Sequence, residues 1–150
     1  MLSQELRIGN LVGFYKSKIH EIQYGKIYEI AIPENPQALE DIYHATIPEF
    51  GSTPIPVAAL QPILLTKDWL INKLGFLEDI EFERDIRYIH ESTMLYELKN
   101  TSTLESGFVI QCCASTRKAI YIISEPLVFV HDLQNLHFSL TRQELQIKEA

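Results

Sequence analysis

The stretch VHDLQNLHFSLTRQEL, residues 130–145, holds the densest set of side chains able to do chemistry. His131, Gln134, Asn135 and Phe138 bring together an imidazole, two carboxamides and an aromatic ring. An imidazole exchanges a proton near neutral pH, and a carboxamide both donates and accepts hydrogen bonds. Together they suit the holding of a small ligand or a peptide edge. His131, Asn135 and Phe138 stand at i, i+4 and i+7, so they stack along one side of a helix, with Gln134 beside them. Phe129, Val130, Leu133, Leu136, His137 and Leu140 gather on the other side, as the stripe that docks on a sheet. The plainer alternative is a helix covered on both sides, with His131 and Asn135 satisfying backbone groups of a proline-rich connector upstream. Thr141 and Glu144 match the S/T-x-x-E capping box, which predicts a break after Leu140 and a new short turn from Thr141.

A second set is Tyr15, Lys16, Tyr24 and Lys26. Four of the seven tyrosines (Tyr15, Tyr24, Tyr28 and Tyr43) lie in the N-terminal third. With Lys16, Lys18 and Lys26 they would make a small binding face for a peptide or a nucleic acid. Their plainer alternative is ordinary strand tyrosines on a half-buried surface.

Other candidates are weaker. Glu81, Glu83 and Asp85 alternate along what reads as a single strand and could offer oxygens to a divalent cation. Arg84 and Arg87 stand close by, and such a face is usually solvated. Cys112 and Cys113 are adjacent, which is the spacing of neither a zinc knuckle nor a redox motif. The histidines His20, His44, His90, His131 and His137 form no ligand pattern. His131 and His137 are six apart on a helix, where two ligands on one side need i, i+4. No HExxH, GxSxG, GxGxxG or Walker A motif is present. The sequence therefore predicts no metal site and no cofactor, and it disfavours an enzyme.

Lys and Arg number 13 and Asp and Glu 20, giving a formal charge of 13 − 20 = −7. An acidic chain gains little from phosphate neutralisation, so the balance disfavours a general nucleic-acid coat. No apolar run approaches the ~20 residues of a spanning helix. The start, MLSQELRIGN, has no basic segment followed by an apolar one, which predicts no membrane association and a cytoplasmic protein.

The elements that must position these residues read as an α+β protein. LRIGNLVGFY places Gly9-Asn10 in a tight turn or bulge within apolar alternation. KIHEIQYGKIYEIAI reads as two short strands with Tyr24-Gly25-Lys26 as their turn. This is a small, bent N-terminal β unit of the kind found in SH3-like barrels. PENPQALED is a loop, and residues 47–62, with Pro48, Pro54, Pro56 and Pro62, read as extended connecting chain. LTKDWLINKLGF predicts one middle helix: Thr66 is the N-cap, Leu70, Ile71 and Leu74 form the stripe, and Gly75 falls at C′ with Phe76 folding back on Ile71. Trp69 reads as a core anchor. Residues 80–123 predict an antiparallel meander of about four strands, with the C-terminal helix packed on it. The 150 residues suit one domain, with subregions 1–62 and 63–150.

Three blocks, ELRIGNLV, PILLTKDWLINKLGF and VHDLQNLHFSLTRQEL, resemble a group of small proteins from Bacteroidetes-type bacteria and their phages. That group reads roughly LRIGN-x-V, then P-I-P-L-T-x-x-W-L-x-x-x-G-F, then V-H-x-L-Q-N-L-x-F-x-L-T-x-x-E-L. The likeness covers about 40 of 150 residues. Leu64 departs from it where a proline is common, and Arg142 where a glycine is common. The resemblance implies a bacterial or phage origin and one continuous fold uniting the blocks, with His131, Gln134 and Asn135 inside the pattern. It brings no activity with it. The residues point first to a non-catalytic protein-interaction or adaptor module. The second expectation is a nucleic-acid or nucleotide-binding accessory protein using the Tyr and Lys face. The third is a small hydrolase working around His131 and Asn135.

Overall fold

The computed structural model describes residues 6–16, 21–31, 43–82, 85–90, 97–100, 108–113, 120–122 and 127–148. The class is α+β: antiparallel sheets with one main helix near the C-terminus. Two compact units are present, Met1–Ile63 with Val130–Asn135 and Leu64–Phe129 with Leu136–Ala150. Helix α1 (Val130–Thr141) gives its first six residues to the first unit and the remainder to the second.

In the first unit, β1 (Leu11–Lys16) and β2 (Glu21–Lys26) form an antiparallel pair. The chain enters β1 through a turn in which Asn10 N–H donates to the Arg7 carbonyl at 3.1 Å and Arg7 N–H donates to Asn10 Oδ1 at 2.8 Å. Gly9 stands at the third position with φ 95°, the conformation a type II turn asks of that residue. The expected turn at Gly9-Asn10 is therefore present. β3 (Glu29–Ala31), β4 (His44–Thr46) and β5 (Ile55–Pro56) make a second antiparallel sheet. Its β5 edge carries Pro56, in keeping with proline's missing donor. Leu6, Val12, Ile27, Ala45, Ile47, Val57 and Leu60 form the core, with Phe14, Ile30, Phe50 and Ile55 packed against it.

Two expectations change here. Tyr24-Gly25-Lys26 is not a turn but the end of β2, and residues 17–20, which join the strands, lie outside the described residues. Gly25 is needed for close approach: a Cβ there would run into Cγ2 of Ile47 and lie 3.1 Å from Cζ of Phe50. The proline-rich connector is also more structured than extended chain. It holds 3-10 turns at Pro48–Phe50 and Val57–Ala59, and its proline-bearing β5 pairs with β4. The PENPQALED loop lies outside the described residues, apart from this connector.

In the second unit, Thr66 caps a helical turn, its Oγ1 accepting from Trp69 N–H at 3.2 Å. The turn over Trp69–Lys73 is π-helical rather than the α-helix the stripe predicts. Leu74 N–H reaches back five residues to the Trp69 carbonyl at 2.9 Å. Leu70 and Leu74 are buried, Trp69 is half-buried, and Gly75 ends the turn with φ 77°. A five-stranded meander follows, in the order β10-β9-β8-β7-β6. Its strands are β6 (Phe76–Phe82), β7 (Asp85–His90), β8 (Glu97–Asn100), β9 (Phe108–Cys113) and β10 (Ile120–Ile122). The stretch expected as one strand from residue 80 is a hairpin: Ile80 pairs with Ile86 and Phe82 with Asp85. Phe76, Tyr88, Leu98 and Phe108 are buried, and the Tyr88 and Phe108 rings meet edge-on at 5.6 Å. Burial raises the Tyr88 phenol pKa above its ordinary value, with Glu78 adding to the effect. The second half of α1 meets β7 through His137 and His90, whose ring centroids are 6.1 Å apart.

The end of α1 differs from the expected capping box. Thr141 closes the helix instead of opening a new turn: its hydroxyl donates to the His137 carbonyl at 2.8 Å and accepts from Gln143 N–H at 3.1 Å. Arg142 takes the C′ position with φ 60°, and its N–H donates to the Phe138 carbonyl at 2.8 Å. A side chain at that φ costs energy that glycine does not pay.

Two substitutions test this account by urea unfolding of the full chain. Gly25→Ala forces a methyl against Ile47 and should destabilise by about 1–3 kcal/mol. Arg142→Gly relieves the left-handed backbone and should stabilise by roughly 0.5–1 kcal/mol.

Candidate functional site

Helix α1 carries the polar row, and the structure shows what each member touches. His131 and Gln134 are each 1% exposed, while Asn135 and Phe138 are half-buried. Gln134 Oε1 accepts the backbone N–H of Leu11 at 2.8 Å, and its Nε2 lies 3.5 Å from the Gly9 carbonyl. The Gln134 carbonyl accepts from Arg7 Nη2 at 3.0 Å. Asn135 Oδ1 accepts from Asn10 Nδ2 at 2.9 Å. All of these partners belong to the first unit, so the LQN of α1 is interlocked with the RIGNL that opens β1.

His131 Nε2 lies 3.3 Å from Asp132 Oδ1, on the next residue of the helix. Val130 and Leu133 are fully buried, and Val130 N–H donates to the Ile63 carbonyl at 2.9 Å. The first turns of α1 are thus buried on both expected sides, at His131 and Gln134 on one and at Val130 and Leu133 on the other. The backbone groups met by its polar side chains, Leu11 N–H and the Gly9 carbonyl, belong to the turn and the start of β1 rather than to the proline-rich connector. The apolar stripe is shorter than expected: Leu136 is half-buried and Leu140 is 37% exposed. Arg7 and Asn10 complete this arrangement; the sequence marks Asn10 as part of a local turn, but it marks neither residue as a partner of α1.

The second predicted set lies on the β1–β2 hairpin. The register pairs Leu11 with Lys26, Gly13 with Tyr24 and Tyr15 with Ile22, and these positions share one face. Tyr15, Ile22 and Tyr24 are 44%, 46% and 48% exposed on it, and Lys26 is exposed at its end. Lys16 pairs with Glu21, one residue out of step with that row. The hairpin is held from outside as well: Gly13 exchanges two backbone hydrogen bonds with Gln61, at 2.9 and 2.8 Å. Lys26 N–H donates to Glu49 Oε1 at 3.2 Å.

The remaining candidates do not assemble. Glu81 is the last residue but one of β6 and Asp85 begins β7 opposite Phe82, so these two do not line one strand; Glu83 lies outside the described residues. Cys112 and Cys113 sit in β9 opposite Tyr121 and Ile120. His44 is in β4 and His90 in β7, while His20 lies outside the described residues. Among the described residues, no three His, Cys, Asp or Glu side chains come together as metal ligands, and no helix is long and apolar enough to cross a membrane.

Comparison of the chain with protein-family models, with curated proteins and with solved structures yields no match. The geometry of the interlock is itself open to measurement. Gln134→Ala strands the buried Leu11 N–H and should cost about 1–3 kcal/mol in urea unfolding. Asn135 is half-buried, so water can replace part of what Asn135→Ala removes, and that variant should lose about 1 kcal/mol or less. Equal losses in the two variants would show that the Leu11 contact has no special weight.

Proposed function

We propose that this chain is a non-catalytic protein-interaction module that docks its partner on the exposed face of the β1–β2 hairpin. One observation carries the proposal: Tyr15, Ile22 and Tyr24, three large apolar side chains, stand side by side and about half exposed on a face fixed by strand pairing. Tyrosine suits such a face, because it offers a large contact area and a hydroxyl at low entropic cost. Strand pairing also keeps the ordering cost of binding small. The polar row on α1 supports the proposal from the other direction, since its carboxamides are engaged within the first unit.

A second proposal, single-stranded nucleic acid, draws on the same face, because tyrosines stack on bases and Lys26 can meet a phosphate. The net charge of −7 works against it.

The test uses the full chain, wild type and Tyr15→Ala/Tyr24→Ala, as bait in an extract of the source organism. A protein retained by the wild type should be depleted by about ten-fold or more with the variant, as expected when aromatic anchors are truncated. Thermal unfolding should be nearly unchanged between the two. Equal recovery on both baits would remove the hairpin face from the proposal. A gel shift of a single-stranded oligonucleotide at low salt that disappears with the variant would favour nucleic acid instead.

A further inference from the structure

The meander offers a surface of a different kind, independent of the hairpin face. β6 stands last in the sheet order, so β7 pairs with only one of its two backbone edges. Among the described residues, no backbone group apart from those of β7 bonds to it. At seven residues it is long for an edge that no other described residue pairs with, and such edges invite another strand.

The side chains along β6 narrow what could add there. Its sequence, FLEDIEF, holds three carboxylates in seven residues. A second copy pairing strand to strand would bring carboxylates against carboxylates at a spacing of about 4.8 Å. Each copy would also carry a charge of −7. Glu78 is already engaged by Lys67, whose Nζ lies 2.7 Å from Oε1 and whose pKa is raised by that hydrogen bond. Asp79 is paired too, with Arg87 Nη2 3.6 Å from its Oδ2, but its side chain stays 48% exposed and leaves room for a second cation. Two residues back along the strand, Leu77 is 52% exposed. Residues two apart share a face of a strand, so an exposed leucine and an accessible carboxylate lie side by side at this edge.

We propose that the open edge of β6 accepts an extended segment of another protein, with a lysine or arginine beside Asp79 and an apolar side chain beside Leu77. Backbone hydrogen bonds to β6 supply the attachment. The Leu77 and Asp79 pair selects an apolar-x-basic pattern on one face of the incoming strand. The acidic strand excludes its own copies, which is specificity through repulsion as well as attraction.

The test titrates the isotope-labelled full chain with the peptide VTKTVTKT and, in parallel, with VTETVTET. The first should give saturable amide shifts centred on residues 76–82, weakening as salt is raised; the second should give none. Asp79→Lys should weaken the basic peptide by about five-fold or more and admit the acidic one. The wild-type shift map stands on its own should that variant fail to fold. The proposal is overturned by an absence of saturable shifts, by shifts centred elsewhere, or by a folded Asp79→Lys chain that binds as before. Sedimentation showing the free chain to be a dimer with protected β6 amides would overturn it too.

Discussion

The first unit depends on one hydrogen bond more than on any other contact of α1: the Leu11 N–H donated to the Gln134 carboxamide across 123 residues of sequence. Leu11 is buried at the start of β1, where the strand has just left a turn. A buried N–H without a partner is costly, and the Gln134 carboxamide supplies the acceptor for this one. A glutamine on a helix can serve because its side chain both accepts and donates, so it mimics a peptide group. Gln134 meets Leu11 N–H and comes within 3.5 Å of the Gly9 carbonyl, while Asn135 engages the neighbouring Asn10. This requires Gly9 to hold its positive φ and Arg7 and Asn10 to close the turn, since otherwise Leu11 would be aimed elsewhere.

That constraint gives two members of the polar row a structural part, with Gln134 and Asn135 both engaged by the turn and the start of β1. An imidazole and two carboxamides lined up on a helix have the composition of a ligand-binding surface, and the periodicity that reveals them is correct. Periodicity says which residues share a side; it is silent on what covers that side. Gln134 and Asn135 find their partners in residues 9–11, far away in sequence. The same limit explains the other differences. Thr66 and Gly75 act locally and are readable: a hydroxyl three residues before a free N–H, and a glycine where φ turns positive. Gly25 signals a turn by composition, yet its role is set by Ile47 and Phe50, which come close only once the chain is folded. The β6–β7 hairpin lies within EFERDI, which has none of the Gly, Asn or Pro residues that announce a reversal. Apolar alternation continues on either side of it, with Ile80 and Phe82 before and Ile86 and Tyr88 after, and only Arg84 interrupts the series. The π-helical turn over Trp69–Lys73 leaves the apolar stripe nearly as an α-helix would, so the pattern does not separate the two.

The distribution of side chains in the first unit is inverted relative to the simple expectation. Its polar row is inward, with His131 and Gln134 almost inaccessible, and its large apolar side chains at Tyr15, Ile22 and Tyr24 are outward. Single exposed apolar residues are common on any protein surface and mean little. A contiguous row on one face of a paired hairpin means more, because the alternation that buries Val12 also fixes the direction of Tyr15.

Chemistry and binding make different demands on a surface. A catalytic imidazole needs access to substrate and a positioned partner, and His131 at 1% exposure lacks the access. A docking face needs apolar area that does not have to be ordered at the moment of binding. The hairpin meets that need: β2 holds β1 along one edge, Gln61 fastens it at Gly13 on the other, and Glu49 occupies Lys26 N–H. The backbone beneath Tyr15, Ile22 and Tyr24 is therefore set by strand pairing before anything meets the face, which keeps the ordering cost of a contact there small. The turn at residues 7–10 therefore serves twice: it anchors the start of β1 beneath the hairpin face, and it engages α1 through Gln134 and Asn135.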